Sequence, residues 1–102
     1  MILYLAGPMT GWPDHNYPAF RAVAQLLREA GFRVSSPHEA AEPGHTWGHY
    51  VRQGLRLLLD CEALVLLPGW RGSKGATLEH RVAKALGMPI YEWVDGRLQE
   101  LP

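Results

Sequence analysis

The stretch ALVLLPGWRGSKGATLEH, residues 63–80, contains the pattern that decides the fold. Residues 63–67 form a continuous apolar run, which is typical of a strand buried on both faces, and Pro68-Gly69 ends it. A Gly-rich loop follows, and then apolar residues at helical spacing predict a helix over residues 76–86. A strand, a Gly-rich turn and a helix in this order are the unit from which parallel sheets are built.

The rest of the chain alternates in the same way. The sequence predicts strands at residues 2–6, 32–35 and 89–93, helices at 17–30 (capped by Asn16) and 46–60, an irregular segment at 38–45 and a loosely held tail from residue 95. Short connections between strands and helices favour right-handed crossovers. We therefore expect one α/β domain over residues 1–102, a three-layer Rossmann-like (flavodoxin-like) sandwich with a mostly parallel sheet of four or five strands.

Composition limits the classes of partner. The ten basic and ten acidic side chains cancel, so a binder of long nucleic acid is not expected, whereas a small anionic ligand remains possible. Cys61 is the single cysteine, so no intrachain disulfide can form, and its leucine neighbours predict a buried thiol. No segment resembles a signal peptide or a membrane span, which predicts a cytoplasmic protein without membrane contact.

The loops that follow the strands hold the residues suited to chemistry. In open parallel sheets, ligands bind at the carboxyl ends of the strands, here residues 7–16, 37–45 and 68–75. The predicted helix start near Gly75 offers free backbone N–H groups for an anion, and Ser73 adds a hydroxyl. Glu79 lies one turn further on, where a carboxylate can attack an electrophilic carbon or stabilise an oxocarbenium ion. The alternative is a glutamate that only complements the helix dipole.

Three segments together resemble a known family. These are YLAGPMTG at residues 4–11, PHE at 37–39 and LLPGWRGSKGATLE at 66–79. They resemble the nucleoside 2-deoxyribosyltransferase superfamily and, within it, the DUF4406 group, over residues 2–92. The resemblance implies cleavage of the N-glycosidic bond of a 2-deoxynucleoside or its 5′-monophosphate, with the sugar passed to another base or to water. The alternative is a nucleotide-binding module of the same fold that has lost turnover.

The same resemblance implies roles for individual residues. Glu79 is the expected nucleophile, Tyr4 orients it, and Ser73 and Gly75 lie near the 5′ end of the sugar. Gly7 begins a loop that closes over the nucleotide. Without the family, Tyr4 would be a core aromatic residue with a satisfied hydroxyl. The full set of expected substrate-binding residues is Gly7, Pro8, Met9, His38, Trp70, Ser73, Gly75 and Ala76.

One position departs from the family pattern. Active relatives carry an aspartate on the second helix that helps to protonate the leaving base, and alignment on Cys61-Glu62 places Gly54 there. His38 or Glu39, in the neighbouring loop, is a possible substitute donor. Loss of a general acid typically lowers the rate by a factor of about 10² to 10⁴. Gly54 is therefore the feature that discriminates between the hypothesis of an enzyme and that of an inactive nucleotide-binding module.

Histidines and tryptophans complete the candidates. His45 and His49 have zinc-ligand spacing, but no accompanying motif supports a metal, and we expect neither a metal nor a cofactor. Trp12, Trp47 and Trp70 fall in the ligand-side loops, where they either stack on a base or form an oligomer contact. So short a chain leaves its pocket open on one side, which predicts a homodimer or larger homo-oligomer.

Overall fold

Five strands alternate with four helices in the computed structural model, which describes residues 1–102. The strands are β1 (Ile2–Ala6), β2 (Arg33–Ser35), β3 (Ala63–Leu66), β4 (Ile90–Val94) and β5 (Arg97–Glu100). The helices are α1 (Tyr17–Glu29), α2 (Pro37–Ala40), α3 (Trp47–Leu59) and α4 (Lys74–Ala85), and short 3₁₀ turns cover Pro13–Asn16 and Trp70–Gly72. None of these helices combines the length and the apolar character needed to cross a membrane.

The strands form one sheet in the order β2-β1-β3-β4-β5. The first four strands are parallel, and β5 runs antiparallel to β4. This is the flavodoxin-like order, in which the direction of strand addition reverses between β1 and β3. The carboxyl ends of β1 and β3 are therefore the expected place for a ligand.

Two apolar clusters cover the two faces of the sheet. On one face, Leu3, Leu5 and Val65 pack against Phe20 and Leu27 of α1. On the other, the cluster joins β1, β3 and β4 to α3 and α4: Tyr4, Ala6, Leu58, Leu64, Leu66, Trp70, Ala76, Ala83 and Ile90. The predicted three-layer α/β sandwich with a mostly parallel sheet is confirmed.

The expectation of a loosely held tail is wrong. Residues 97–100 pair with β4, and the backbone N–H of Leu101 donates to the carbonyl of Ile90 at 2.8 Å. The turn between the strands is Asp95-Gly96, both with positive φ (49° and 77°), as a tight type I′ hairpin requires. Asp-Gly between two runs of strand-forming residues was the signal for this hairpin.

Three smaller expectations also need correction. Pro37 starts the short helix α2, whose last three residues fall in the segment 38–45 that was predicted to be irregular, because proline is well suited to a first helical turn. Asn16 precedes α1 but does not cap it with its side chain, since its backbone is left-handed (φ 60°) like that of Asp14 and His15. Cys61 is partly exposed rather than buried.

Candidate active site

The site is built around the first two turns of α4. Ser73 is the N-cap of this helix, and its hydroxyl accepts a hydrogen bond from the backbone N–H of Ala76 at 3.1 Å. This cap fixes where the helix begins, and it places Glu79 one turn beyond Gly75 on the side that faces the sheet. Glu79 is buried, with 7% of its surface exposed.

Tyr4 of β1 is the hydrogen-bond partner of Glu79. Its phenol donates a short hydrogen bond to Oε2 of the carboxylate, across 75 positions in sequence. Burial raises the pKa of Glu79 to about 7, although the bond from Tyr4 acts in the opposite direction. Burial and the Glu79 charge raise the pKa of Tyr4 well above its ordinary value, so the phenol keeps its proton. The pair therefore presents a carboxylate that titrates near neutral pH, held by a neutral donor.

Gly54 of α3 lies directly against this pair. A Cβ atom at residue 54 would lie 2.7 Å from Glu79 Oε2 and 2.7 Å from the Tyr4 hydroxyl. Real Cβ atoms do not approach other atoms so closely, so any side chain here would displace the carboxylate or the phenol. The sequence identified position 54 as a missing acid, but not as a place where no side chain fits.

The N-terminus of α4 is open on its outer side. A Cβ atom at Gly75 would meet only Val51, at 3.9 Å, so the backbone here is accessible to a ligand. The ammonium of Lys74 lies 4.6 Å from the centroid of the Trp47 ring, a cation–π contact that joins the starts of α3 and α4. Trp47, predicted to lie in a loop, is the first residue of α3, and 43% of its surface is exposed.

Trp70 is a packing residue in this structure. Only 7% of its surface is exposed, and its indole N–H donates to Glu92 Oε2 at 2.9 Å. The His80 ring lies 4.8 Å from the Trp70 ring, and the Arg71 guanidinium lies 4.6 Å from it. These contacts and the low exposure show that the indole is largely covered by neighbouring side chains.

The loop after β1 packs at the switch point of the sheet. A Cβ atom at Gly7 would lie 2.9 Å from Leu67 Cβ, so the ends of β1 and β3 can approach only because residue 7 is glycine. Pro8 is buried, and Met9 packs against the cluster on the α1 side. Trp12 is 44% exposed and lies beside Gly69, where a Cβ atom would meet its ring at 3.2 Å.

His38 lies apart from Glu79. Its ring is 6.2 Å from that of Phe20, which belongs to the cluster on the α1 face, and its Nδ1 pairs with the Ser36 hydroxyl. Burial lowers the pKa of His38. None of these contacts is with Tyr4 or Glu79, and no charge on His38 contributes to the shifted pKa of Glu79.

The other histidines do not assemble a metal site. The rings of His45 and His49 stack on each other with centroids 4.0 Å apart. No group of three or more His, Cys, Asp or Glu side chains has an arrangement that would hold a metal ion.

Two surface cavities lie away from the Tyr4–Glu79 pair. One, of about 390 Å³, runs along α1 and α2 and is lined by Arg21, Gln25 and His38. The other, of about 480 Å³, lies between the loop after β3 and the β4–β5 hairpin and includes Trp70 and Trp93. Neither is lined by Glu79 or Tyr4.

The fold and the site define a class of protein, a flavodoxin-like α/β domain with a buried glutamate and tyrosine pair beside the helix that follows β3. Within it, the chain belongs to the DUF4406 family, a domain of unknown function whose sequence model matches residues 1–92.

Two solved structures share the fold. A 2-deoxyribosyltransferase from the psychrotolerant bacterium Bacillus psychrosaccharolyticus has a TM-score of 0.70 and 18% identity, covering 97% of this chain and 77% of that one. A conserved protein from Enterococcus faecalis V583 has a TM-score of 0.62 and 24% identity, covering 89% of this chain and 61% of that one. Comparison with curated proteins finds no match.

Proposed function

We propose that this chain cleaves the N-glycosidic bond of a 2-deoxynucleoside or its 5′-monophosphate, with Glu79 as the nucleophile. The observation that carries the proposal is the buried Glu79 carboxylate with its Tyr4 hydrogen bond, beside the open start of α4. The fold shared with a 2-deoxyribosyltransferase supports the same chemistry.

In the proposed reaction, an oxygen of Glu79 forms a bond to C1′ of the sugar while the C1′–N bond breaks and its electron pair leaves with the base. Water or a second base then attacks C1′, which releases the carboxylate and transfers the sugar. Tyr4 holds the carboxylate in place, because its phenol donates to the oxygen that faces α3. Ser73 and the backbone around Gly75 are proposed to bind the 5′ end, with Lys74 near a phosphate.

A nucleotide-binding module without turnover is the second candidate. Gly54 favours it, because the position offers no acid to protonate the leaving base and has no room for one. Such a module would bind nucleotides at the same site and release no base.

The test is incubation of the protein with the four deoxynucleoside 5′-monophosphates, followed by chromatography for free base. We expect base release by the wild type and none by Glu79→Gln, which keeps the shape of the side chain. Glu100→Gln, an exposed carboxylate on β5, is the matched control and should behave as the wild type. Thermal stabilisation by nucleotide without base release would favour the binding module.

A further inference from the structure

The wall that α3 presents to Glu79 is apolar and closed. Gly54 contributes only backbone there, and its contact distances leave no space for a side chain. The neighbouring inward residues are Leu58, which is fully buried, and Val51, which lies near Gly75. A proton donor for a departing base is therefore not available from α3.

No other ionisable side chain takes that place. The pKa of Glu79 responds to burial and to the Tyr4 hydroxyl, and no charged neighbour contributes. Glu39 is held by Arg28 at 2.7 Å, and the ring of His38 contacts Tyr17 and Phe20 and pairs with the Ser36 hydroxyl, not with Glu79. Tyr4 keeps its proton, since its pKa is raised. Glycosidases ordinarily use two carboxyl groups, one of them as the acid, whereas this site has one.

The leaving base decides whether an acid is needed. A neutral base that departs with the electron pair of the C1′–N bond becomes an anion unless it is protonated. A base that already carries a positive charge takes the same electron pair and departs as a neutral molecule. Such a substrate also suits the binding site, because an ionised Glu79 is buried without a cationic partner and would attract a positive charge.

We propose that the preferred substrates are N-glycosides whose base is already cationic, such as N-alkylated purine or pyridinium nucleosides. The inference rests on the proposed function, since it assumes Glu79 chemistry at C1′. Glu79 forms the C1′–O bond as the C1′–N bond breaks, and the base leaves neutral. Water then supplies hydroxide to C1′, its proton goes to solvent, and the Glu79 carboxylate is regenerated.

A matched pair of substrates tests this inference. 7-Methyl-2′-deoxyguanosine carries a fixed positive charge, whereas 2′-deoxyguanosine reaches the same charge state only by protonation at N7. In buffer at about pH 7, where part of Glu79 is ionised, and with an enzyme-free blank subtracted, we expect kcat/KM for the methylated nucleoside to be higher by at least about 10², the contribution typical of a missing general acid. Glu79→Gln should reduce its release to the blank, with circular dichroism checking the fold and Glu100→Gln retaining activity.

The outcomes separate the two proposals. Similar kcat/KM values for both nucleosides, each dependent on Glu79, would overturn the preference for cationic bases and leave the proposed function standing. Release no faster than the blank for both would overturn the inference and the proposed function together. Fast release of the methylated base that persists in Glu79→Gln would also overturn the inference, because the carboxylate would then have no part in the reaction.

Discussion

At the scale of the residue, Glu79 makes the stability of the chain depend on pH. Its pKa is about 7 when folded, against 4.5 for the ordinary side chain, so the folded chain holds an extra proton between these values. The contribution of protonated Glu79 to the free energy of unfolding is fully present below about pH 4.5 and is lost as the pH rises through about 7. A difference of this size corresponds to about 3 kcal/mol in the free energy of unfolding.

We expect urea unfolding to show this difference between wild type and Glu79→Gln. His38 and His80, whose pKa values burial lowers, change stability in the opposite direction over part of the range. The quantity to compare is therefore the wild-type value minus the Gln value, measured below pH 5 and again near pH 8. This difference should fall by about 3 kcal/mol as the pH rises. A constant difference would mean that Glu79 is not buried as described.

Gly54 and Gly48 both lie in α3. Alanine substitutions at the two positions distinguish the effect of helix propensity on stability from the effect of the close contact at Gly54. Replacing an open helical glycine by alanine stabilises by up to about 1 kcal/mol, and a Cβ atom at Gly48 meets nothing within 4 Å. Gly48→Ala should therefore be neutral or stabilising. Gly54→Ala should destabilise by about 1 to 3 kcal/mol, because its methyl group collides with Glu79 and Tyr4. Thermal unfolding measures both, and equal effects would contradict the close contact at Gly54.

At the scale of the element, the helices α3 and α4 have equivalent N-caps and different expected roles. Thr46 accepts from the N–H of His49 at 3.2 Å, as Ser73 does from that of Ala76. Thr46→Ala and Ser73→Ala should each cost about 1 kcal/mol in stability. Only Ser73→Ala should weaken binding of a deoxynucleoside 5′-monophosphate, by about 1 to 3 kcal/mol in calorimetry. Equal affinity of the wild type for nucleoside and monophosphate would remove the phosphate from the proposal.

The sequence was sufficient for most elements of the fold because their signals are local. The apolar runs at residues 2–6 and 63–67 predicted buried strands, and the helical spacing predicted α1, α3 and α4 within a few residues. The β4–β5 hairpin was missed because Arg97–Glu100 is mostly exposed and lacks an apolar run, so only its turn carried a signal. The contacts of His38 with Tyr17 and Phe20 are tertiary, and no local sequence pattern encodes them.

The residues of the candidate site likewise divide into those with a local sequence signal and those whose role depends on tertiary packing. Ser73 and Glu79 could be predicted because their positions relative to the start of the helix after β3 can be read directly from the sequence. The role of Tyr4 came from the family resemblance, since an aromatic residue in a buried strand has no pattern of its own. The contact of Gly54 with Tyr4 and Glu79 joins three elements that are distant in sequence, and only their packing reveals it.

At the scale of the whole molecule, we expect two copies of the chain to associate through the α3 side. Neither of the two cavities described above is lined by Glu79, and Trp47 and Leu59 at the two ends of α3 are 43% and 59% exposed. A second copy would cover these apolar side chains and enclose the open start of α4.

Light scattering at micromolar concentration should give twice the chain mass of 11.4 kDa. Leu59→Glu should shift the mass toward that of one chain, whereas Leu26→Glu, on α1 and 51% exposed against 59% for Leu59, should leave it unchanged. A wild-type mass near 11.4 kDa would rule out the dimer.

The pairing of β1 with β3 has a consequence for synthesis on the ribosome. Leu3 to Ala6 pair with Ala63 to Leu66, so β1 emerges long before the central strand beside it. Until β3 is synthesised, only β2 and α1 can pack against β1. The side of β1 that carries Tyr4 stays uncovered until α3 and α4 have been synthesised. A nascent chain of this protein therefore carries an uncovered apolar strand through much of translation. Its yield in cells should therefore depend on chaperone capacity and on translation speed beyond residue 46, in addition to the stability of the finished fold.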